Sequence, residues 1–368
     1  RYLDYKLAVW MKYSMTDSYV VVFPSEFAQN MMPLLASNVR AALKTKELLF
    51  DSIGRDGPVI TVKARDPVFA SSAISMLFGI RRVAIAVRTE YDYHTILNEM
   101  AEIGSRLLLA GERFLVRVEG AAKGFVTKDL ETAAIAAIIQ KGHGSKPGTD
   151  KRHDKLLYTF LARNSAYVCI FLDEGLGGMP YGCRGSAVCP IFNELSAISA
   201  LETVRQGYSP RIIICYRKKS QLLDLAKMAS RIIPRMNEKQ VELEIYQVSG
   251  GTRTPLPMEI ALNVAKEHGI KHVSLPASPL IHKSDYIDEM ISRTVSQNLA
   301  PVLPLGGMDG GLYRAAREIG LERYLTRIRS LGRASGAGSL QDALKSKRSI
   351  TLRAGPNILH DMLDSCRT

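Results

Sequence analysis

The chain has 368 residues, 46% of them apolar and 23% charged, a balance that excludes a wholly disordered chain and suits two or three folded domains with buried cores. Its apolar runs, such as 19–23 and 211–215, are strand-length, far short of the ~20 residues that cross a bilayer, so no membrane segment is expected. A net charge of +13 and a pI near 9.5 point instead to a polyanionic partner, of which nucleic acid is the commonest.

Residues 19–23 form a β-branched run closed by Pro24, and 31–49 carry apolar residues at helical spacing. The alternation over 59–63 predicts a strand, and 67–78 a helix ended by Gly79. A small α+β layer is expected here. Next come strand 83–87, helix 94–110, strand 114–118 and helix 129–140, then a polar, Gly-rich, basic loop over 141–155 and strands 158–162 and 167–172.

From about residue 187 the rhythm changes. Helix 193–206 precedes 211–216, a nearly continuous apolar strand of the kind found in parallel sheets covered on both faces. Helix 221–233, strand 241–248, helix 257–268, strand 272–275, helix 285–298, strand 302–305 and helix 310–319 follow. That is the α/β pattern of a doubly wound parallel sheet, which holds ligands at its carboxyl edge. Past Tyr324 the chain is rich in Arg, Lys, Ser and Gly with weak periodicity, and is expected to be an extension or docking arm.

The five cysteines, Cys169, Cys183, Cys189, Cys215 and Cys366, contain no C-x-x-C pair, so neither a zinc site nor a disulfide framework is expected. No Ser/His/Asp set, H-E-x-x-H or paired-carboxylate motif marks a catalytic residue. Ser249-Gly250-Gly251-Thr252 follows a strand and precedes a helix, so it reads either as a plain Gly turn or as a phosphate cradle. No secretory pattern opens the chain, which makes a cytoplasmic location the default expectation.

Four segments stand in an informative order. They are Tyr19-Val-Val-Val-Phe-Pro-Ser-Glu26, Phe78-Gly-Ile-Arg-Arg-Val83, Phe114-Leu-Val-Arg-Val-Glu119 with Lys123 and Lys128-Asp-Leu-Glu131, and Gly175-Leu-Gly-Gly-Met-Pro-Tyr-Gly182. In this order and spacing the chain resembles the ThiI-type tRNA 4-thiouridine synthetases (tRNA sulfurtransferases), whose chemistry is linked to thiamine biosynthesis. The resemblance covers roughly 18–325. It implies an N-terminal ferredoxin-like domain over 1–80, an RNA-binding THUMP domain over 81–185, a PP-loop ATP-pyrophosphatase-like domain over 186–325 and a basic tail over 326–368. The implied partner is tRNA or another structured RNA, with no membrane, and a homodimer is left open.

The family's phosphate loop, S-G-G-x-D-S, is replaced here by Ile191-Phe-Asn-Glu-Leu-Ser196, in which Phe192 brings bulk and Glu194 like charge where pyrophosphate would sit. The expectation is therefore a tRNA-binding pseudoenzyme that needs no cofactor. The RNA-binding candidates are Lys123, Lys128, Lys141, Lys146, Arg152, Arg163 and Arg184. Two alternatives stand beside this one. The first is an active sulfurtransferase using ATP and Mg²⁺, with Ser249–Thr252 as a relocated phosphate loop and Cys183 or Cys189 as sulfur carrier. The second is a non-enzymatic protein-interaction scaffold.

Overall fold

A computed structural model describes residues 18–141, 144–249, 256–307, 310–324, 339–355 and 357–367. Residues through Gly177 form one compact unit and those from Gly178 a second.

The first unit is built on an eight-stranded sheet. Its strands are β1 (Ser18–Pro24), β2 (Phe50–Asp56), β3 (Val59–Ala64), β4 (Ile80–Glu90), β5 (Arg113–Gly120), β6 (Lys146–Pro147), β7 (Lys155–Leu161) and β8 (Ser165–Gly177), in the order β2-β3-β1-β4-β8-β7-β5-β6. Pairing is antiparallel except where β5 lies parallel to β6 and β7. The sheet runs unbroken across residue 80, where the sequence had suggested a domain boundary, and the unit ends at Gly177 rather than 185.

Helices α1 (Met32–Thr45) and α2 (Pro67–Ile74) cover one half of this sheet, α3 (Tyr93–Leu107) and α4 (Thr127–Gln140) the other. In α1 the residues Leu35, Val39, Ala42 and Leu43 recur at helical spacing, and all are buried. Asp66 starts α2 by accepting from the Val68 and Phe69 N–H groups at 3.0 Å, with Pro67 in the first turn, where its missing N–H costs nothing. Strand β2 was not expected from sequence. Its buried positions are few, and it is held as a hairpin with β3 by the Gly57-Pro58 turn, in which Gly57 has φ +60°.

The second unit contains a six-stranded sheet of β9 (Ser186–Ile191), β10 (Ser209–Tyr216), β11 (Gln240–Gln247), β12 (His272–Ser274), β13 (Ala300–Val302) and β14 (Arg348–Arg353). The order is β13-β12-β9-β10-β11-β14, all parallel but for β14. From β9 the chain winds one way to β11, then returns to the other side for β12 and β13, so the reversal falls between β9 and β12. This is the doubly wound class that the apolar strands implied. Ile212, Ile213 and Ile214 are fully buried, as a strand covered on both faces requires.

Where it is described, the tail docks on the second unit, as one of the two expectations had it. Short helix α7 (Leu340–Lys345) leads into β14, which pairs antiparallel with β11, and α8 (Ile358–Arg367) packs on α6 (Lys219–Ile232). Leu352, Ile358 and Met362 are buried. The segment thus covers the β11 edge and becomes the edge strand of the sheet itself.

The Gly-rich run that carries the strongest family likeness has a backbone explanation. A Cβ on Gly175 would lie 2.3 Å from the Ile80 carbonyl oxygen, and one on Gly178 would lie 2.6 Å from that of Arg205. Gly178 also has φ +74°, a conformation that side chains resist.

Candidate nucleic-acid interface

In an open α/β sheet the ligand end is the carboxyl edge at the strand-order reversal, here the turn from β9 into α5 (Glu194–Arg205). A phosphate held there needs unclaimed backbone N–H groups. In this turn those of Phe192, Asn193 and Ser196 are claimed. The Ser196 hydroxyl accepts from the Phe192 and Asn193 N–H groups, both at 2.9 Å, and donates to the Asn193 carbonyl at 2.8 Å. The Asn193 side chain accepts from the Ser196 N–H at 2.9 Å, which closes a reciprocal capping box. Gln221 holds the Phe192 carbonyl at 3.2 Å. The Phe192 ring packs with Tyr286 and Leu303 against the core of the second unit, and Glu194 lies buried in the first helical turn.

Below this turn, between β9 and β12, the hydroxyls of Ser199, Thr203 and Ser274 bond to one another at 2.8–3.0 Å in the fully buried interior. Cys189 lies among them. Burial pushes its thiol up to about 12 against the opposing hydrogen bonds of Thr203 and Ser274. Cys183 is half-buried, and burial likewise raises its thiol, with nearby Arg184 working the other way. Neither has the lowered pKa and access that a persulfide carrier uses. Of the alternative phosphate cradle, Ser249 is exposed and Gly250, Gly251 and Thr252 lie outside the described residues. Among the described residues no three His, Cys, Asp or Glu side chains gather as a metal site, and no helix is long and apolar enough to cross a membrane.

The candidate cations separate into groups. Lys128 pairs with the buried carboxylate of Glu131 at 2.8 Å, while Glu131 also accepts the Val118 N–H. Lys141 pairs with Glu102 at 2.7 Å. Both charges are thus partly spent on neighbours. Lys146, on β6, and Arg152, on the loop before β7, are exposed. Arg184 belongs to the second unit, at the start of β9, with its guanidinium 5.9 Å from the Tyr208 ring.

Lys123 and Arg163 come together. The Lys123 ammonium donates to the Arg163 carbonyl at 2.5 Å and lies 5.0 Å from the centre of the Tyr91 ring. Arg163 and Asn164 form the tip of the β7–β8 hairpin, closed by the Ala162 N–H to the Ser165 carbonyl at 3.0 Å. This tip is fixed by Asp56 of the β2–β3 hairpin. One carboxylate oxygen accepts the Asn164 N–H at 2.9 Å and the other the Tyr167 hydroxyl at 3.1 Å. A Cβ on Gly57 would meet Arg163 at 3.2 Å, so the two hairpin tips are in close contact.

Beside this tip an open groove of about 520 Å³ is lined by Tyr19, Arg88, Thr89, Glu90, Tyr91, Asn164 and Ser165. Arg88 donates to the Ser165 hydroxyl at 2.8 Å and lies 5.9 Å from the Tyr19 ring centre, and Lys63 reaches the same ring at 5.9 Å. Sequence reading missed Tyr19, Arg88 and Tyr91 as site residues. Tyr19 opens an apolar strand-length run with nothing to mark its ring as a site, and Tyr91 lies more than thirty positions from the Lys123 that covers it. It also passed over Arg217, Lys218 and Lys219, exposed between β10 and α6 at the carboxyl edge of the second sheet.

A ferredoxin-like and THUMP α+β unit followed by a doubly wound, PP-loop-like unit is the protein class that this architecture defines. No protein-family model matches the sequence. The probable tRNA sulfurtransferase of Bacillus velezensis is 24% identical over 314 residues, covering 78% of this chain and 76% of its own. That of Methanosarcina mazei is 24% identical over 179 residues, 47% of this chain and 44% of the relative, and that of Methanosarcina acetivorans 25% over 188 residues, 50% and 45%. The matched part thus spans less than half the length of the two archaeal relatives. A 4-thiouridine synthetase in complex with RNA and bound ATP superposes with a TM-score of 0.64 at 15% identity, covering 95% of both chains. The protein PH1313 of Pyrococcus horikoshii gives 0.63 at 17%, covering 83% of this chain and all of the other. The chain is related to the ThiI-type tRNA 4-thiouridine synthetases.

Proposed function

We propose that this protein binds tRNA or a similarly structured RNA and has no adenylation or sulfur-transfer activity of its own. The observation that carries the second half is the capping box at the β9–α5 turn, where the Phe192, Asn193 and Ser196 N–H groups are bonded internally. Pyrophosphate would have to displace those bonds and also accept the Phe192 ring and the Glu194 carboxylate as neighbours. The residues at this edge do not fit ATP, and on this reading no nucleotide or metal cofactor is required. Support for RNA binding comes from the +13 charge, the exposed cations Lys123, Lys146, Arg152 and Arg163, and the relatives' naming as tRNA sulfurtransferases. The names of those relatives also support the rival reading, a working sulfurtransferase.

One experiment separates the two. Calorimetric titration of ATP and Mg²⁺, with and without tRNA, is followed by a pyrophosphate-release assay and by anisotropy titration of labelled tRNA at several salt concentrations. The expected result is no ATP binding, no pyrophosphate, and tRNA binding that weakens steeply with salt as phosphate contacts lose their counterion-release advantage. ATP-dependent pyrophosphate release in the presence of tRNA would establish the rival.

A further inference from the structure

We propose that the groove at the end of β4 is a stacking site for a single unpaired nucleotide of RNA. The inference rests on the RNA-binding reading above and assigns it a specific place and mode.

Four observations carry it. First, the groove has the size of a small-ligand site, about 520 Å³, and two tyrosines, Tyr19 and Tyr91, contribute to its wall. Second, both rings are attended by cations. Arg88 and Lys63 lie 5.9 Å from the Tyr19 centre, and Lys123 lies 5.0 Å from that of Tyr91. Aromatic faces beside Lys and Arg are the combination that holds an unpaired base and its phosphate together, because every base has a π-face and every nucleotide a negative charge.

Third, the groove contains Glu90 as well as Arg88. A carboxylate at the site disfavours a bare phosphate or pyrophosphate, but it accepts hydrogen bonds from the amino and imino groups of a base edge. Asn164, exposed at the same wall, can both donate to and accept from such an edge. Fourth, the site is built on fixed elements. Asp56 holds the Asn164 backbone, Tyr91 donates its hydroxyl to the Ala121 carbonyl, and Phe125 packs 6.3 Å from the Tyr91 ring. Little ordering of the protein is therefore needed when a base enters. A base inside a duplex cannot reach these rings, so the ligand is an unpaired end, bulge or loop nucleotide.

The test uses the full chain and three RNAs: a tRNA transcript, a five-nucleotide single strand carrying 2-aminopurine, and a blunt-ended two-strand duplex without unpaired nucleotides. The expected result is quenching of 2-aminopurine on binding, and roughly tenfold weaker binding of the single strand by Arg88→Gln and Tyr91→Leu, the size of one lost stacking contact. Tyr91→Phe keeps the ring and should keep the quenching, which separates stacking from damage to the Tyr91–Ala121 bond. Arg88 is exposed, so Arg88→Gln is expected to leave folding intact. Unquenched 2-aminopurine, or variants that bind the single strand as wild type does while tRNA still binds, would overturn this site and leave RNA binding standing. Failure of all three RNAs to bind at low salt would remove both.

Discussion

Ser196→Ala tests the closed turn directly. Wild-type Ser196 is fully buried, and its hydroxyl makes three hydrogen bonds: acceptor to the Phe192 and Asn193 N–H groups and donor to the Asn193 carbonyl. Alanine removes all three and leaves two N–H donors at a half-buried helix entrance. An unsatisfied donor in such a place costs about 1–3 kcal/mol, and loss of a capping side chain costs about 1 kcal/mol. The cap is one of the bonds counted and is not added again, so the two donors set the expected loss at about 2 kcal/mol or more. Urea unfolding followed by circular dichroism reads it as a lower midpoint with an unchanged slope. The tRNA affinity should be unchanged. If Ser196 instead survives as part of a working phosphate loop, the variant would be stable to within about 0.5 kcal/mol, the range of a surface substitution, and would lose ATP binding. That outcome would refute the capping argument and the reading built on it.

Two further perturbations test other parts of the fold. Gly178→Ala should destabilise by at least about 2 kcal/mol, read by calorimetry. The residue has φ +74° and its new Cβ would lie 2.6 Å from the Arg205 carbonyl, whose own side chain is bonded to Glu318 at 2.5–2.6 Å. Unchanged melting would show that the Gly-rich run is not a backbone requirement. Glu244 should make the second unit acid-sensitive. Burial works against its ionisation, but the Tyr246 hydroxyl, Arg211 and Lys347 outweigh this and hold the carboxyl at about 2. A carboxyl of an unfolded chain titrates near ~4.3, so this contribution is whole above that pH and is lost as pH falls toward 2. Lys347→Met, which removes the ammonium 3.3 Å from Glu244, should raise the acid-unfolding midpoint, while equal midpoints would refute the coupling.

Regular structure was legible in the sequence where burial dictates the pattern. The apolar run of β10 and the helical spacing of α1 could be recognised directly because each faces a core along its length. Strands β2 and β14 could not, since each is an edge strand with many exposed residues and owes its place to one neighbour, β3 or β11. Cations were easy to find and hard to value. Lys141 looks free in sequence, yet its partner Glu102 stands 39 positions away on another helix. Lys123 gains its setting from Tyr91 and Arg163, neither of them a sequence neighbour. The replaced phosphate loop was legible as a loss of glycines, but what fills the turn was not. That Ser196 and Asn193 would cap each other follows only once the helix is known to begin at Glu194.

A turn that binds phosphate and a turn that caps a helix make opposite demands on the same N–H groups. The first must leave them open and bear the cost of unsatisfied donors until an anion arrives; the second satisfies them from within the chain. At β9–α5 the Phe192, Asn193 and Ser196 donors are satisfied, and the structure around them is well packed, with Val188, Ile191 and Leu195 buried. The groove beside Tyr91 shows the contrary arrangement. Its Tyr91 ring, Arg88 guanidinium and Asn164 backbone are held in place by the Ala121 carbonyl, Ser165 and Asp56, yet the groove itself is open to solvent. Polar and aromatic groups fixed in an open concave site are what a ligand uses, whereas the same groups satisfied and buried are what a fold uses. By that criterion, the proposed function places recognition of RNA in the first unit, and assigns the capped β9–α5 turn of the second to the stability of its own sheet.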